Sequence, residues 1–78
     1  MIEELERVVL LVDLPHHKLA AGDIGTVVMV HAHGQGYTVE FVTLGGQTIA
    51  VETLSAAEVR PIDPDEIAHA RQRATATP

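Results

Sequence analysis

Histidines offer the widest range of chemistry in this sequence, and there are 5 of them in 78 residues. His16 and His17 are adjacent, whereas His31 and His33 are two apart, a spacing that places both on one face of a strand. Imidazole binds zinc, copper or nickel, but a site needs three or four converging ligands. Adjacent histidines are expected to point apart, and no carboxylate lies at a metal-site spacing. We therefore predict no metal site and no cofactor, and interpret the histidines as surface or hairpin-rim residues.

Acid–base catalysis would need a histidine beside a carboxylate, and His31 with Glu40 is the candidate because the two face each other across predicted strands. The chain has no Cys, and no Ser or Thr stands in a nucleophile motif. A small barrel leaves little room for a ligand cavity. We interpret the pair as an ordinary cross-strand contact and predict a protein that is not an enzyme, with no catalytic residues.

Six glycines mark predicted turns. Residues 34–36 and 45–46 resemble phosphate-binding loops, but they open no helix and no lysine follows them. We predict a sharp turn at Gly22 and a bend or bulge at Gly25. The structural glycines are therefore Gly22, Gly25, Gly34, Gly36, Gly45 and Gly46.

Composition narrows the function classes. The chain has 5 Lys and Arg against 11 Asp and Glu, a net charge of −6, and 3% aromatic residues. Nucleic-acid binding is not expected, because it needs clustered cations and stacking aromatics. No apolar run approaches the roughly 20 residues of a membrane span, and the acidic start is unlike a signal peptide. We expect one soluble, cytoplasmic domain that binds no membrane.

Strand periodicity extends to about residue 62. Five strands are predicted, over residues 7–12, 24–32, 37–43, 47–54 and 59–62. Tyr37 and Phe41, the only aromatic residues, share the inner face of the third strand. Leu14 and Leu19 should pin the long loop 13–23 against the core. A helical turn capped by Ser55 should precede the last strand.

The two central hairpins have registers set by their loops. A three-residue loop, 44–46, pairs Phe41 with Ile49, whereas a two-residue turn at 45–46 would pair Phe41 with Ala50. We prefer the three-residue loop, with Gly46 in the left-handed region. A four-residue loop, 33–36, sets Val30 beside Val39. The outer face would then carry Val27, Met29, His31, Thr38, Glu40 and Val42. Half of these residues are apolar, so we expect another segment or a partner to shield part of this face from water.

Two features lie near the chain ends. Asp63 as an N-cap and Pro64 at the first helical position predict a helix over residues 63–74 that follows a barrel domain of residues 1–62 and precedes a disordered tail, 75–78. Acidic residues also gather toward both ends, where they could form a docking patch or serve solubility and capping. These residues are Glu3, Glu4, Glu6, Glu52, Glu58, Asp63, Asp65 and Glu66.

One small bacterial family, the domain of unknown function 4926, resembles this chain over about residues 5–62. The similar segments are 13–15, 19–28, 37–41, 47–51 and 59–61. The resemblance implies a stand-alone bacterial protein with an SH3-like barrel and no established activity. The fold class we predict is accordingly all-β, a five-stranded SH3-like barrel with a short C-terminal helix.

The function we predict is a non-catalytic protein-interaction or accessory module that binds a partner protein or a second copy of itself. Two surfaces are candidates: the loop 13–23 and the outer sheet face. Their residues are Asp13, His16, His17, Lys18, Val27, Met29, His31, Glu40 and Val42. Two alternatives stay open, an antitoxin or immunity protein that binds a basic partner, and a metal- or nucleic-acid-binding accessory module.

Overall fold

A computed structural model describes residues 2–73, which form one antiparallel sheet of five strands. The strands are β1 (Arg7–Leu10), β2 (Ile24–His31), β3 (Gly36–Val42), β4 (Thr48–Ser55) and β5 (Val59–Pro61). Their order in the sheet is β4-β3-β2-β1-β5, so the sheet is open and the first and last strands are neighbours. Two single-turn 3-10 helices, Pro15–His17 and Ala56–Glu58, complete the described elements.

Within residues 2–73, no helix has the length and apolar character needed to cross a membrane.

The core lies on one face of the curved sheet. Side chains from all five strands contribute to it, and the largest that are fully buried, all from β1, β2 and β3, are Phe41, Leu10, Val8, Val27 and Val39. Tyr37 is 4% exposed and joins this cluster, so the predicted alternation of β3, with both aromatics inside, is confirmed. Each such side chain contributes about 1.5–3 kcal/mol by leaving water, and this apolar burial is the main source of stability.

The β3–β4 hairpin confirms the predicted loop but corrects the predicted register. The Thr43 N–H donates to the Gln47 carbonyl at 2.8 Å, and Gly46 has a φ of +92°, as a loop over 44–46 requires. The register then shifts between Phe41 and Val42, so Phe41 pairs with Ala50. The predicted pairing of Phe41 with Ile49 is therefore wrong. The irregularity absorbs one residue, and Ile49 still packs against the core.

The β2–β3 hairpin also departs from its predicted register. Its loop is 32–35, one residue earlier than predicted, and Val30 pairs with Tyr37. Ala32 and His33 have φ values of +49° and +56°. Successive positive φ values of this kind are usually found at Asn and Gly, as in type I′ turns.

A second register shift, between Val27 and Met29, brings Val27 to the inner face. The prediction of Val27 as an outer-surface residue is wrong, because its side chain is 0% exposed.

Gly22 and Gly25 serve different purposes. Gly22 has a φ of +101° and makes the predicted turn before β2. At Gly25 no bulge forms; a β-carbon there would lie 2.5 Å from Val39 Cγ1 and 2.8 Å from Phe41 Cε1. The absence of a side chain therefore lets β2 approach the core closely, and the irregularity of β2 lies between Val27 and Met29 instead.

The predicted C-terminal helix does not form in the described part of the chain. Asp63 starts one turn, in which its carbonyl accepts from the Glu66 N–H at 2.9 Å, but the turn does not propagate. Ile67, the main apolar residue of the proposed helical face, is 93% exposed. A helix this short needs tertiary packing to persist, and the exposed Ile67 side chain provides almost none. Residues 74–78, including the predicted helix end and tail, lie outside the described residues.

Candidate functional site

The long loop 13–23 is held in a defined shape by its own backbone and side chains. Leu14 and Leu19 pair across its base, and Leu19 is 6% exposed, so the predicted pinning is confirmed. Asp13 Oδ1 accepts from the Ala21 N–H at 2.9 Å, within the same loop. These contacts leave Pro15–His17 as a compact turn on the surface, with Lys18 exposed beside it.

The adjacent histidines of this loop do not point apart. Their ring centroids lie 4.2 Å from each other with the planes tilted by 43°. His17 Nε2 donates to Glu52 Oε2 at 2.5 Å, and one ligand atom from each of His16, His17 and Glu52 lies within 4.8 Å of the others. The expectation that the two rings diverge and lack a carboxylate is therefore wrong. The sequence gives no local signal for Glu52, because it is 35 positions from His17 and its location depends on the β3–β4 register.

The outer sheet face contains four of the predicted surface residues: Met29, His31, Glu40 and Val42. Met29 is 51% and Val42 50% exposed, and Val51, which the prediction omitted, is 55% exposed. Val51 could have been recognised as an outer residue only with the correct register, in which it pairs with Glu40.

The predicted contact between His31 and Glu40 is not formed. His31 Nε2 instead lies 2.7 Å from Thr38 Oγ1, and Glu40 Oε2 accepts from Thr48 Oγ1 at 2.9 Å. Glu40 faces Thr26 across the strands. The face is therefore a threonine-lined surface with scattered exposed apolar groups, and the two ionisable side chains have separate hydroxyl partners.

The C-terminal segment 63–73, here called the strap, crosses the outer side of the sheet. At its start, Arg60 forms two hydrogen bonds with the Glu66 carboxylate, at 2.9 and 2.6 Å. Near its end, Arg71 holds the Asp23 carboxylate through Nε at 2.8 Å and Nη2 at 2.5 Å. Arg73 donates to the His17 carbonyl at 3.2 Å. The strap is thus attached to the loop 13–23, and Met29 stays half exposed.

Two pairs anchor the strap, Arg60 with Glu66 and Arg71 with Asp23, and in both the pKa of the carboxyl group is lowered. The hydrogen bonds from Arg60, and then from the Asp63 N–H, lower the pKa of Glu66 from 4.5 to about 2. Burial raises the pKa of Asp23, but the hydrogen bonds from Arg71 and the Ala20 N–H, with the Arg71 charge, outweigh it and leave that pKa below its usual value. Both carboxylates are therefore ionised near neutral pH.

A groove of about 990 Å³ lies between the strap and the outer side of β1, β2 and β3. Its floor includes Val9, which is 7% exposed although it lies outside the core cluster. Large apolar side chains on its walls remain accessible to solvent. They are Leu44 (99% exposed), Ile67 (93%), Val42 (50%) and Ile24 (40%). The sequence did not indicate this groove, because the strap was predicted to be a helix.

The acidic residues near the chain ends have mostly local partners. Pairing of β1 with β5 does bring the two ends to neighbouring strands. However, Glu58 accepts from the Ser55 N–H at 2.8 Å and completes the predicted cap of the Ala56–Glu58 turn. Five of the eight side-chain carboxylates accept hydrogen bonds within the described residues: those of Glu6, Glu52, Glu58, Asp63 and Glu66. Capping and local pairing therefore account for much of the cluster.

Comparison with known proteins identifies one family. The family model described as Domain of unknown function (DUF4926) matches residues 4–61. No curated protein and no solved structure was found to match the chain. The matched segment contains all five strands of the described structure and ends before the strap begins.

Proposed function

Because the chain belongs to the DUF4926 family, whose description assigns no activity, we propose its function from the geometry: it is a non-catalytic protein-interaction module. Its binding site is the groove between the strap and the outer sheet face. We also propose that the sheet is an SH3-like barrel and that the protein acts in the bacterial cytoplasm. The placement of β5 beside β1, and the long loop after β1, support the barrel assignment.

The distribution of exposed apolar side chains carries this proposal. Leu44, Ile67, Val42 and Ile24 all line the same groove, although they come from three separate parts of the chain. Single exposed apolar residues are ordinary, but four exposed apolar side chains that line one cleft are typical of a protein-binding surface. A partner that covered them would remove this apolar surface from water.

The shape of the groove favours an extended segment of a partner protein as its occupant. The groove is lined on one side by strands of the sheet and on the other by the strap, which has no regular secondary structure beyond one turn. Its polar rim is already engaged internally, since Glu66 binds Arg60 and Asp23 binds Arg71. Affinity would therefore come from apolar side chains of the partner, and the charged anchors would keep the strap in position.

Affinity capture with matched variants tests this function. The groove variant carries Val42→Asp and Ile67→Asp, and the control carries Leu5→Asp, because Leu5 is 78% exposed and does not line the groove. The wild type and the control should retain the same stoichiometric partner from a lysate of the source organism, and the groove variant should lose it. Retention by all three proteins, or by none, would contradict the proposal.

Self-association is a separate outcome of the same variants. Sedimentation velocity of the purified wild type should show a monomer, since the proposed occupant is a different protein. A dimer that the groove variant dissociates, and the control does not, would make a second copy of this chain the occupant instead.

A further inference from the structure

The His16–His17–Glu52 cluster carries an inference independent of the groove. We propose that these three side chains bind one divalent transition-metal ion of the zinc or nickel class. Two imidazoles and one carboxylate are a donor set that suits zinc and nickel, whereas calcium and magnesium prefer all-oxygen sites. Within residues 2–73, this is the only group of three His, Asp or Glu residues whose ligand atoms converge.

The geometry needs only small side-chain adjustments. Ligand atoms around a tetrahedral zinc ion lie roughly 3.3 Å apart, given metal–ligand distances near 2.0–2.1 Å. The three ligand atoms here are all within 4.8 Å of one another, and His17 Nε2 and Glu52 Oε2 are 2.5 Å apart. His16 is exposed and can turn its ring without disturbing the core.

The backbone around the cluster is already ordered for binding. His17 ends the Pro15–His17 turn, which the Leu14–Leu19 pairing closes, and Glu52 lies on β4. The entropy of ordering these segments is therefore lost during folding, before any ion binds. An ion would take the place of the proton that His17 Nε2 shares with Glu52, as metal binding to histidine requires.

The second imidazole is the feature that a simple hydrogen bond does not explain. His17 and Glu52 form their contact without help from His16, yet the His16 ring lies 4.2 Å from that of His17. Two neighbouring imidazoles and a carboxylate would provide three ligands to an ion. Because the side chains of His17 and Glu52 are 26% and 30% exposed, solvent can reach the cluster, and a water molecule would complete a tetrahedral zinc site.

Isothermal titration calorimetry of the untagged protein with zinc chloride, and separately with nickel chloride, tests the site. The variants are His16→Asn and Glu52→Gln, and the controls are His33→Asn and His69→Asn, which remove exposed histidines outside the cluster. We expect one ion per chain in the wild type and controls, with binding at least tenfold weaker in both site variants. Amide NMR spectra without metal should show that every variant is folded.

Thermal unfolding supplies a second measurement. Zinc should raise the melting temperature of the wild type and of the His33→Asn control, since an ion that binds the folded form stabilises it. It should raise that of His16→Asn much less. Absence of saturable binding, equal affinity in site variants and wild type, or loss of binding in the controls would overturn the proposal.

Discussion

The two faces of the sheet differ sharply, although they are built from neighbouring residues of the same strands. Phe41 is 1% exposed and Val42, the next residue, is 50% exposed; Val27 is 0% and Met29 51% exposed. The inner face is closed by apolar contacts, whereas the outer face is crossed by a strap that two ion pairs hold in place. Stability therefore resides mainly on the inner face, which leaves the outer face available for binding.

The largest effect should come from removing an inner aromatic ring. Phe41→Ala should lower the free energy of unfolding by about 3–5 kcal/mol, because it leaves a cavity in the core. A domain this small has little stability to lose, so the variant should be largely unfolded by circular dichroism. Val42→Ala, one residue away on the outer face, should change the urea midpoint only slightly. Equal losses of unfolding free energy from the two substitutions would show that the two faces contribute equally to stability.

A smaller but substantial effect should come from Gly25→Ala. The new β-carbon would lie within 3 Å of the Val39 and Phe41 side chains, so the core must shift to admit it. We expect a loss of about 1–3 kcal/mol, the usual cost of overpacking. Gly45→Ala is the matched control, since its nearest neighbour would be Thr43 Oγ1 at 3.8 Å. Denaturant unfolding of both variants measures the difference in their free energies of unfolding. A Gly25→Ala protein as stable as the wild type would contradict the close approach of Gly25 to Val39 and Phe41.

Acid should loosen the strap before it unfolds the core. A carboxyl group whose pKa is lowered on folding stabilises the folded form above its usual pKa and loses that effect as the pH falls through the lowered value. For Glu66 this stabilisation is lost over the pH range from 4.5 down to about 2. Amide NMR shifts of residues 67–72 should change over that range while those of β3 do not. Glu66→Gln should show strap shifts at neutral pH that resemble those of the acidified wild type.

The smallest effect should come from Met29→Asp. A substitution at an exposed site away from special features usually changes stability by within about 0.5 kcal/mol, and this face already carries polar threonines. Val27→Asp, two residues earlier, should unfold the protein as Phe41→Ala does, because it places a carboxylate in the core. Thermal melts of both proteins provide the check. Unfolding of Met29→Asp would show that this residue belongs to the inner face.

The sequence was sufficient wherever structure follows from a local pattern. The alternation of β3, the pinning of the loop by Leu14 and Leu19, and the Ser55 cap all depend on residues close in the chain. The two register shifts left no such signal, because they arise from packing between strands. The turn at Ala32 and His33 also lacks the Asn-Gly signature of its conformation.

The sites were harder to predict for the same physical reason. His16 and His17 were recognised from the sequence, but Glu52 meets them only because of the register of β4. The Asp63 and Pro64 start signal does produce a turn, yet helix formation is cooperative and a start signal alone cannot sustain it. The strap and its groove depend on the ion pair of Arg71 with Asp23, which are 48 positions apart.

Methyl NMR of the protein bound to its captured partner tests the central claim most directly. The methyl shifts of Ile24, Val42, Leu44 and Ile67 should move on binding, because these side chains line the groove. Those of Leu5 and Leu11, which are exposed elsewhere, should stay at their positions in the unbound protein. Shifts confined to Leu5 and Leu11, or to the Met29 side of the sheet, would contradict the assignment of the groove as the binding site.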